Sequence, residues 1–146
     1  MRDRFGTQLV GRPIIVASWV CTSVFTAAAL PAVIDPVDAV AVYFAVSVAL
    51  FVLGCALFMA DLVLAAARSR DDEMGIGGLF FLAGSAPPGV RRHLLGSFGV
   101  QVVVAVAAAA LDPFTPLAVG TLVPIVGLAF CGLWAVRHGL FPPRVP

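Results

Sequence analysis

The sequence predicts an all-α integral membrane protein with four transmembrane helices. They form two helical hairpins, with a short interfacial or re-entrant segment between them, in a single membrane domain covering residues 1–146. Three observations carry this expectation. The chain is 61% hydrophobic and only 12% charged, whereas a soluble domain commonly uses about 25% charged residues to wet its surface. Four apolar stretches reach or approach the roughly 20 residues a helix needs to cross about 30 Å of hydrocarbon. The nine basic residues, all arginine, fall on one side of a four-span arrangement.

The first span is expected over residues 14–34, "IIVASWVCTSVFTAAALPAVI". A basic start followed by an Ala run resembles a cleavable signal, but the apolar run is long for a signal core, so we read it as a retained span. "DPVD" (35–38) then closes the first hairpin. Pro lacks the N–H that a helix interior needs, and it pushes the preceding residue away from helical angles. The second span, 39–67, is longer than one crossing requires, so it either tilts or protrudes. Residues 68–93 form a connector. The third span, 90–111, ends at a second Asp-Pro turn, "DPFTP" (112–116), and the fourth covers 117–136 with a kink expected at Pro124. Both hairpins approach their turn through "AAAL…DP". A parallel duplication would leave such a pattern, but the alignment fades beyond the turn.

Arginine sets the orientation. Arg2, Arg4 and Arg12 lie in the N-terminal tail, Arg68, Arg70, Arg91 and Arg92 in the connector, and Arg137 and Arg144 at the C-terminal end. The two Asp-Pro turns carry none. The positive-inside rule puts both termini in the cytoplasm, with Arg68, Arg70, Arg91, Arg92 and Arg137 as the topology-setting group. The absence of Lys and Asn beside abundant Ala, Val and Gly suggests a high-GC bacterial genome, hence the bacterial plasma membrane.

In lipid, helices associate through small residues and interhelical hydrogen bonds. The stripes expected to face inward are Ser18, Thr22 and Thr26; Ala41, Ala45 and Ala49; Ser97, Gln101, Ala105 and Ala109; and Gly120, Gly127 and Cys131. Gln101 and the hydroxyls are read as interhelical glue rather than a polar path, because each hydroxyl can also bond a carbonyl one turn back.

Asp61 is the one carboxylate inside an otherwise apolar run, "LFMADLVLAAAR". Heptad spacing puts Ser47, Gly54, Asp61 and Arg68 on one helix face. Two positions are open for it. At the inner boundary it is an anchor, paired with Arg92 or Arg137. Deeper, it is an intramembrane carboxylate in need of a partner, the usual mark of an ion or proton site. The first is the preferred expectation, under which Asp61→Asn leaves insertion intact and destabilises mildly.

Within the connector, residues 74–86 are apolar but too short to span. Leu79, Phe80, Phe81 and Leu82 are expected to dip into the inner headgroup region, as a membrane-lying link or a surface for a partner. "GIGG" (75–78) lacks the lysine, the preceding strand and the spacing of a phosphate loop. Cys21, Cys55 and Cys131 lie singly in apolar runs and read as packing residues. His93 and His138 sit at inner helix ends beside arginine, where histidine is ordinary. A net charge of +1 gives no field for nucleic acid.

The combination "DDEMGIGGLFFLAGSAPPGVRRHLLGSFG…LDPFTPLAVGTLVP…GLWAVRHG" resembles small multi-pass proteins of unassigned role from high-GC actinobacteria. The resemblance covers mostly residues 70–139 and implies membrane location and no activity. With no carboxylate pair, nucleophile–base set or zinc motif, we expect a non-enzymatic protein without cofactor or metal. Its expected partners are the bilayer and other membrane proteins, or further copies of itself in a homo-oligomer. The expected role is an accessory or assembly partner. The runner-up is a small transporter or channel subunit using Asp61, and a weaker third is a membrane redox or lipid-modifying enzyme.

Overall fold

A computed structural model describes residues 10–145. The order of elements is α1 (Arg12–Ile34), α2 (Pro36–Arg68), the short α3 (Ile76–Phe80), α4 (Pro88–Leu111), a 3-10 helix (Pro116–Leu122) and α5 (Pro124–His138). Four of the helical segments are long and apolar enough to cross a membrane, the 3-10 helix and α5 together making the fourth. No named strand occurs among the described residues, and pairing is confined to one bridge, Asp72 with Pro143. The protein is therefore an all-α multi-pass membrane protein. Arg2 and Arg4 lie outside the described residues.

Pro36, Pro88, Pro116 and Pro124 act as helix starts rather than as parts of loops, while Pro113 stays in the second turn. Pro36 opens α2 directly after α1 ends, so Asp35 alone forms the turn. Its N–H reaches the carbonyl of Pro31 at 2.8 Å, and its Oδ1 accepts from Val37 N–H at 3.3 Å. The expected four-residue turn is shorter because Pro fits the first helical turn, where its missing N–H would be unpaired anyway. Pro88 opens α4 in the same way. At the second turn, Thr115 Oγ1 donates to the carbonyl of Asp112 at 2.8 Å and accepts from Leu117 N–H at 3.4 Å, starting the 3-10 helix.

The expected kink at Pro124 is a change of helix type. Residues Pro116–Leu122 wind as a 3-10 helix, and α-geometry begins only at Pro124. This 3-10 run of seven residues exceeds the common 3 to 4, and it is held from outside. Tyr43 Oη, from fully buried Tyr43 on α2, donates to the carbonyl of Leu117 at 3.1 Å. Gly120 leaves room for that phenol, which a Cβ there would strike.

The fourth span is the centre of the bundle. Most of it is buried, whereas most of α2 is not. Val126, Ala129, Cys131, Trp134 and Ala135 of α5 have no exposed surface. At one end, Gly11 with φ +74° leads into α1, and a Cβ there would lie 2.5 Å from the indole nitrogen of Trp134. That nitrogen donates to the carbonyl of Val10 at 2.8 Å. The C-terminal strand-like stretch folds back over the connector. Glu73 N–H bonds the carbonyl of Pro142 at 2.8 Å, Arg144 N–H that of Asp71 at 2.8 Å, and Leu140 N–H that of Ser85 at 3.0 Å. All the described arginines belong to this end, opposite the Asp35 and Asp112 turns.

One packing expectation is corrected. Ala41, Ala45 and Ala49 are exposed, and the inward face of α2 is Tyr43, Ser47, Leu50, Gly54, Asp61 and Ala65. Both stripes have helical spacing, but burying one excludes the other. Ser47 and Asp61 carry polar atoms that lipid cannot solvate, and their face turns in.

Candidate functional site

Asp61 lies on α2 facing α5 and has no exposed surface. Its partner position is Gly132, where a Cβ would stand 2.6 Å from Asp61 Oδ2 and 2.9 Å from the ring of Phe80. Gly132 thus makes the room in which the carboxylate and the ring meet. Phe80 in turn stacks on Phe58 of α2 with centroids 4.9 Å apart and planes at 15°. The carboxylate is therefore enclosed by α2, α5 and the connector helix α3.

Neither Asp61 oxygen has a hydrogen-bond partner among the described residues. Buried polar atoms are paired as a rule, and an unpaired one calls for a reason. The expected ion pair with Arg92 or Arg137 is not formed: both arginines are exposed, and the one salt bridge among the described residues joins Arg68 to Asp72 at 2.7 Å. Seven residues separate Asp61 from Arg68, about 10 Å along the helix. The expected salt bridge is thereby absent, and the carboxylate lies buried within the bundle.

Arg68 is unable to serve Asp61 because its guanidinium closes the end of α5. Nη1 donates to the carbonyl of Val136 at 2.7 Å, Nη2 to that of Gly139 at 2.8 Å, and Nε to Asp72. Its Cζ also lies 5.3 Å from the centre of the Phe141 ring. The last carbonyls of a helix lack internal partners and carry partial negative charge, so a cation is stabilising there. Sequence reading placed Arg68 as a topology signal and missed this second duty. Its place one heptad below Asp61 was the available signal.

The second polar group is a closed network. Ser18 Oγ and Ser97 Oγ are 2.7 Å apart, and Thr22 Oγ1 and Ser97 Oγ also 2.7 Å. Thr22 Oγ1 donates to the carbonyl of Ser18 at 2.9 Å and accepts from Gln101 Nε2 at 2.8 Å. Gln101 Oε1 accepts from Gly127 N–H at 3.1 Å. All four side chains are buried. The network joins α1, α4 and α5 and satisfies its members, so it works as interhelical glue.

The connector differs from the expected headgroup patch. Leu79, Phe80 and Leu82 are buried against the bundle, and Phe81 alone of the four is exposed. The cause is local backbone. Leu82 has φ +54° and Gly84 φ +75°, which turn the chain back after α3. Ser85 Oγ and Ala83 N–H then close the loop on the carbonyls of Gly78 and Gly77. Gly78 is pressed against Phe141, whose ring a Cβ would meet at 2.9 Å.

Arg70, Arg91 and Arg92 are exposed, and Arg91 Nε donates to the carbonyl of Phe81 at 3.2 Å. His93 is exposed, and His138 rests beside Trp134 with ring centres 5.7 Å apart. The three cysteines among the described residues are free.

Comparison with protein-family models, with curated proteins and with solved structures finds no match to the chain. The class defined by fold and site is a multi-pass helical membrane protein with one unpaired interior carboxylate.

Proposed function

We propose that the chain is a small non-enzymatic accessory or assembly partner, packing in the membrane against other membrane proteins or further copies of itself. The outward face of α2 carries this reading. Ala41, Ala45 and Ala49 follow one another at i, i+4 and are exposed, on the helix of which least is buried. In lipid such a small-residue ridge lets a second helix backbone approach closely. The membrane in question is the bacterial plasma membrane, with both termini cytoplasmic; the support is the partition of arginine between the two ends. The test is the mass of the protein in mild detergent. A fixed multimer or fixed-stoichiometry complex that Ala45→Phe reduces to monomer, with helix content unchanged, fits the proposal. A wild-type monomer with no fixed partner rejects it.

A second reading rests on Asp61: a small transporter or channel subunit that binds a proton or monovalent cation there. Its support is the enclosed carboxylate without a hydrogen-bond donor, since an intramembrane carboxylate is a functional candidate by default. Flux into liposomes that Asp61→Asn abolishes is the expected outcome. Equal flux through wild type and variant ends this reading.

A further inference from the structure

We propose that the groove between α1 and α4 at the arginine end is a binding site for one anionic glycerophospholipid. The groove has a volume of about 570 Å³, and its lining includes Arg12, Val16, Trp19, Val20 and Val24 of α1 and His93 of α4.

Its two ends differ in chemistry. Arg12 and His93 stand together at the mouth, both exposed, and no lining residue is acidic. Both α1 and α4 begin at this end, so both positive helix-dipole ends point toward the same level. A guanidinium with its planar donors suits a phosphate. Below the mouth the lining is Val16, Val20 and Val24, each exposed. From Arg12 to Val24 is about 18 Å along the helix axis, roughly one leaflet of a bilayer about 30 Å thick in its core. The length suits one acyl chain hanging from a headgroup at Arg12.

Gly96, one turn below His93, faces Trp19, and a Cβ there would still be 3.9 Å from the indole Cζ2. Trp19 and Val20 give the groove an apolar wall below the mouth. A free anion would leave the apolar length empty. A lipid with a negative headgroup satisfies both ends at once.

The test uses the full chain, delipidated in detergent, and native mass spectrometry with phosphatidylglycerol, phosphatidylcholine or inorganic phosphate as probe. The expected result is a one-to-one phosphatidylglycerol adduct at a concentration about tenfold lower than for phosphatidylcholine. Val20→Trp, at a lining residue, fills the groove and removes the adduct with all charges retained. Arg12→Gln and His93→Gln each weaken it, whereas Arg70→Gln, away from the groove, leaves it unchanged. Helix content and gel-filtration profile check folding, and if Val20→Trp misfolds, the two mouth variants decide. Equal retention of phosphatidylcholine, wild-type binding by the mouth variants, displacement of the lipid by phosphate alone, or a groove variant that changes only the oligomeric mass overturns the proposal.

Discussion

The side-chain oxygen of Gln101 accepts the backbone N–H of Gly127 at 3.1 Å, inside the bundle. A helix start is therefore capped in the middle of a membrane span. α5 begins at Pro124, and the first N–H groups of any helix lack internal acceptors. In hydrocarbon no water replaces them. Gln101 supplies the acceptor from the neighbouring helix, and its own amide nitrogen is held by Thr22 at 2.8 Å.

That pairing makes Gln101→Leu destabilising. It frees the Gly127 N–H and strips Thr22 of a donor, for a loss of about 1–2 kcal/mol on the scale of interhelical bonds in lipid. Gly127→Ala acts from the other side, because its Cβ would lie 2.6 Å from Gln101 Oε1 and 3.1 Å from the Phe98 Cα. Backbone does not yield cheaply, and overpacking of this kind costs about 1–3 kcal/mol. Reversible unfolding in detergent micelles measures both. Wild-type stability in either variant contradicts the cap.

Tyr43 and Gly120 form the matching device in the 3-10 half of the span. Tyr43→Phe removes the bond to the Leu117 carbonyl and is expected to cost about 1 kcal/mol. Gly120→Ala is expected to be worse alone, since the new methyl meets the phenol oxygen, and milder in a Tyr43→Phe background. A double-mutant cycle reads that coupling. Additive effects would show that the two residues do not constrain each other.

Arg68→Lys separates charge from geometry. The positive charge that orients the span remains, so reporter fusions near Arg70 keep their side of the membrane. The planar fork is lost, and a lysine is unable to reach the carbonyls of Val136 and Gly139 and Asp72 together. Stability in detergent is expected to fall by about 1.5–3 kcal/mol, the range for hydrogen bonds to a charged group. Lysine behaving as well as arginine would reduce Arg68 to a topology signal.

The four spans were legible because hydrocarbon thickness imposes a length, and length and apolarity are written locally. The face of α2 was legible in part. Ser47, Gly54, Asp61 and Arg68 do share one side, but Ala41, Ala45 and Ala49 form an equally regular stripe on another, and small residues fit a neighbouring helix on either side. The direction of Leu79, Phe80, Phe81 and Leu82 was not legible, because one left-handed residue, Leu82, decides it. The isolation of Asp61 was hidden for a different reason. It depends on Arg68 being occupied by the end of α5, a contact between residues far apart in the chain.

That isolation reverses the expected sign of Asp61→Asn. An anchoring salt bridge would be lost in the variant, but Asp61 has no bond to lose. Asparagine has nearly the same shape and is cheaper to bury than a carboxylate without donors. The variant is therefore expected to unfold at a higher temperature than wild type, a pattern typical of residues kept for function at the expense of stability. Gly132→Ala is the control, since its Cβ would come within 2.6 Å of Asp61 Oδ2 and 2.9 Å of the Phe80 ring. Alone it is expected to destabilise by about 1–3 kcal/mol. Combined with Asp61→Ala, which vacates part of that space, its further cost falls. Thermal melts in detergent of wild type, Asp61→Asn, Asp61→Ala, Gly132→Ala and the Asp61→Ala/Gly132→Ala double variant decide the matter: a lower midpoint for Asp61→Asn, or no coupling between positions 61 and 132, would mean that the carboxylate has a partner and a position other than these.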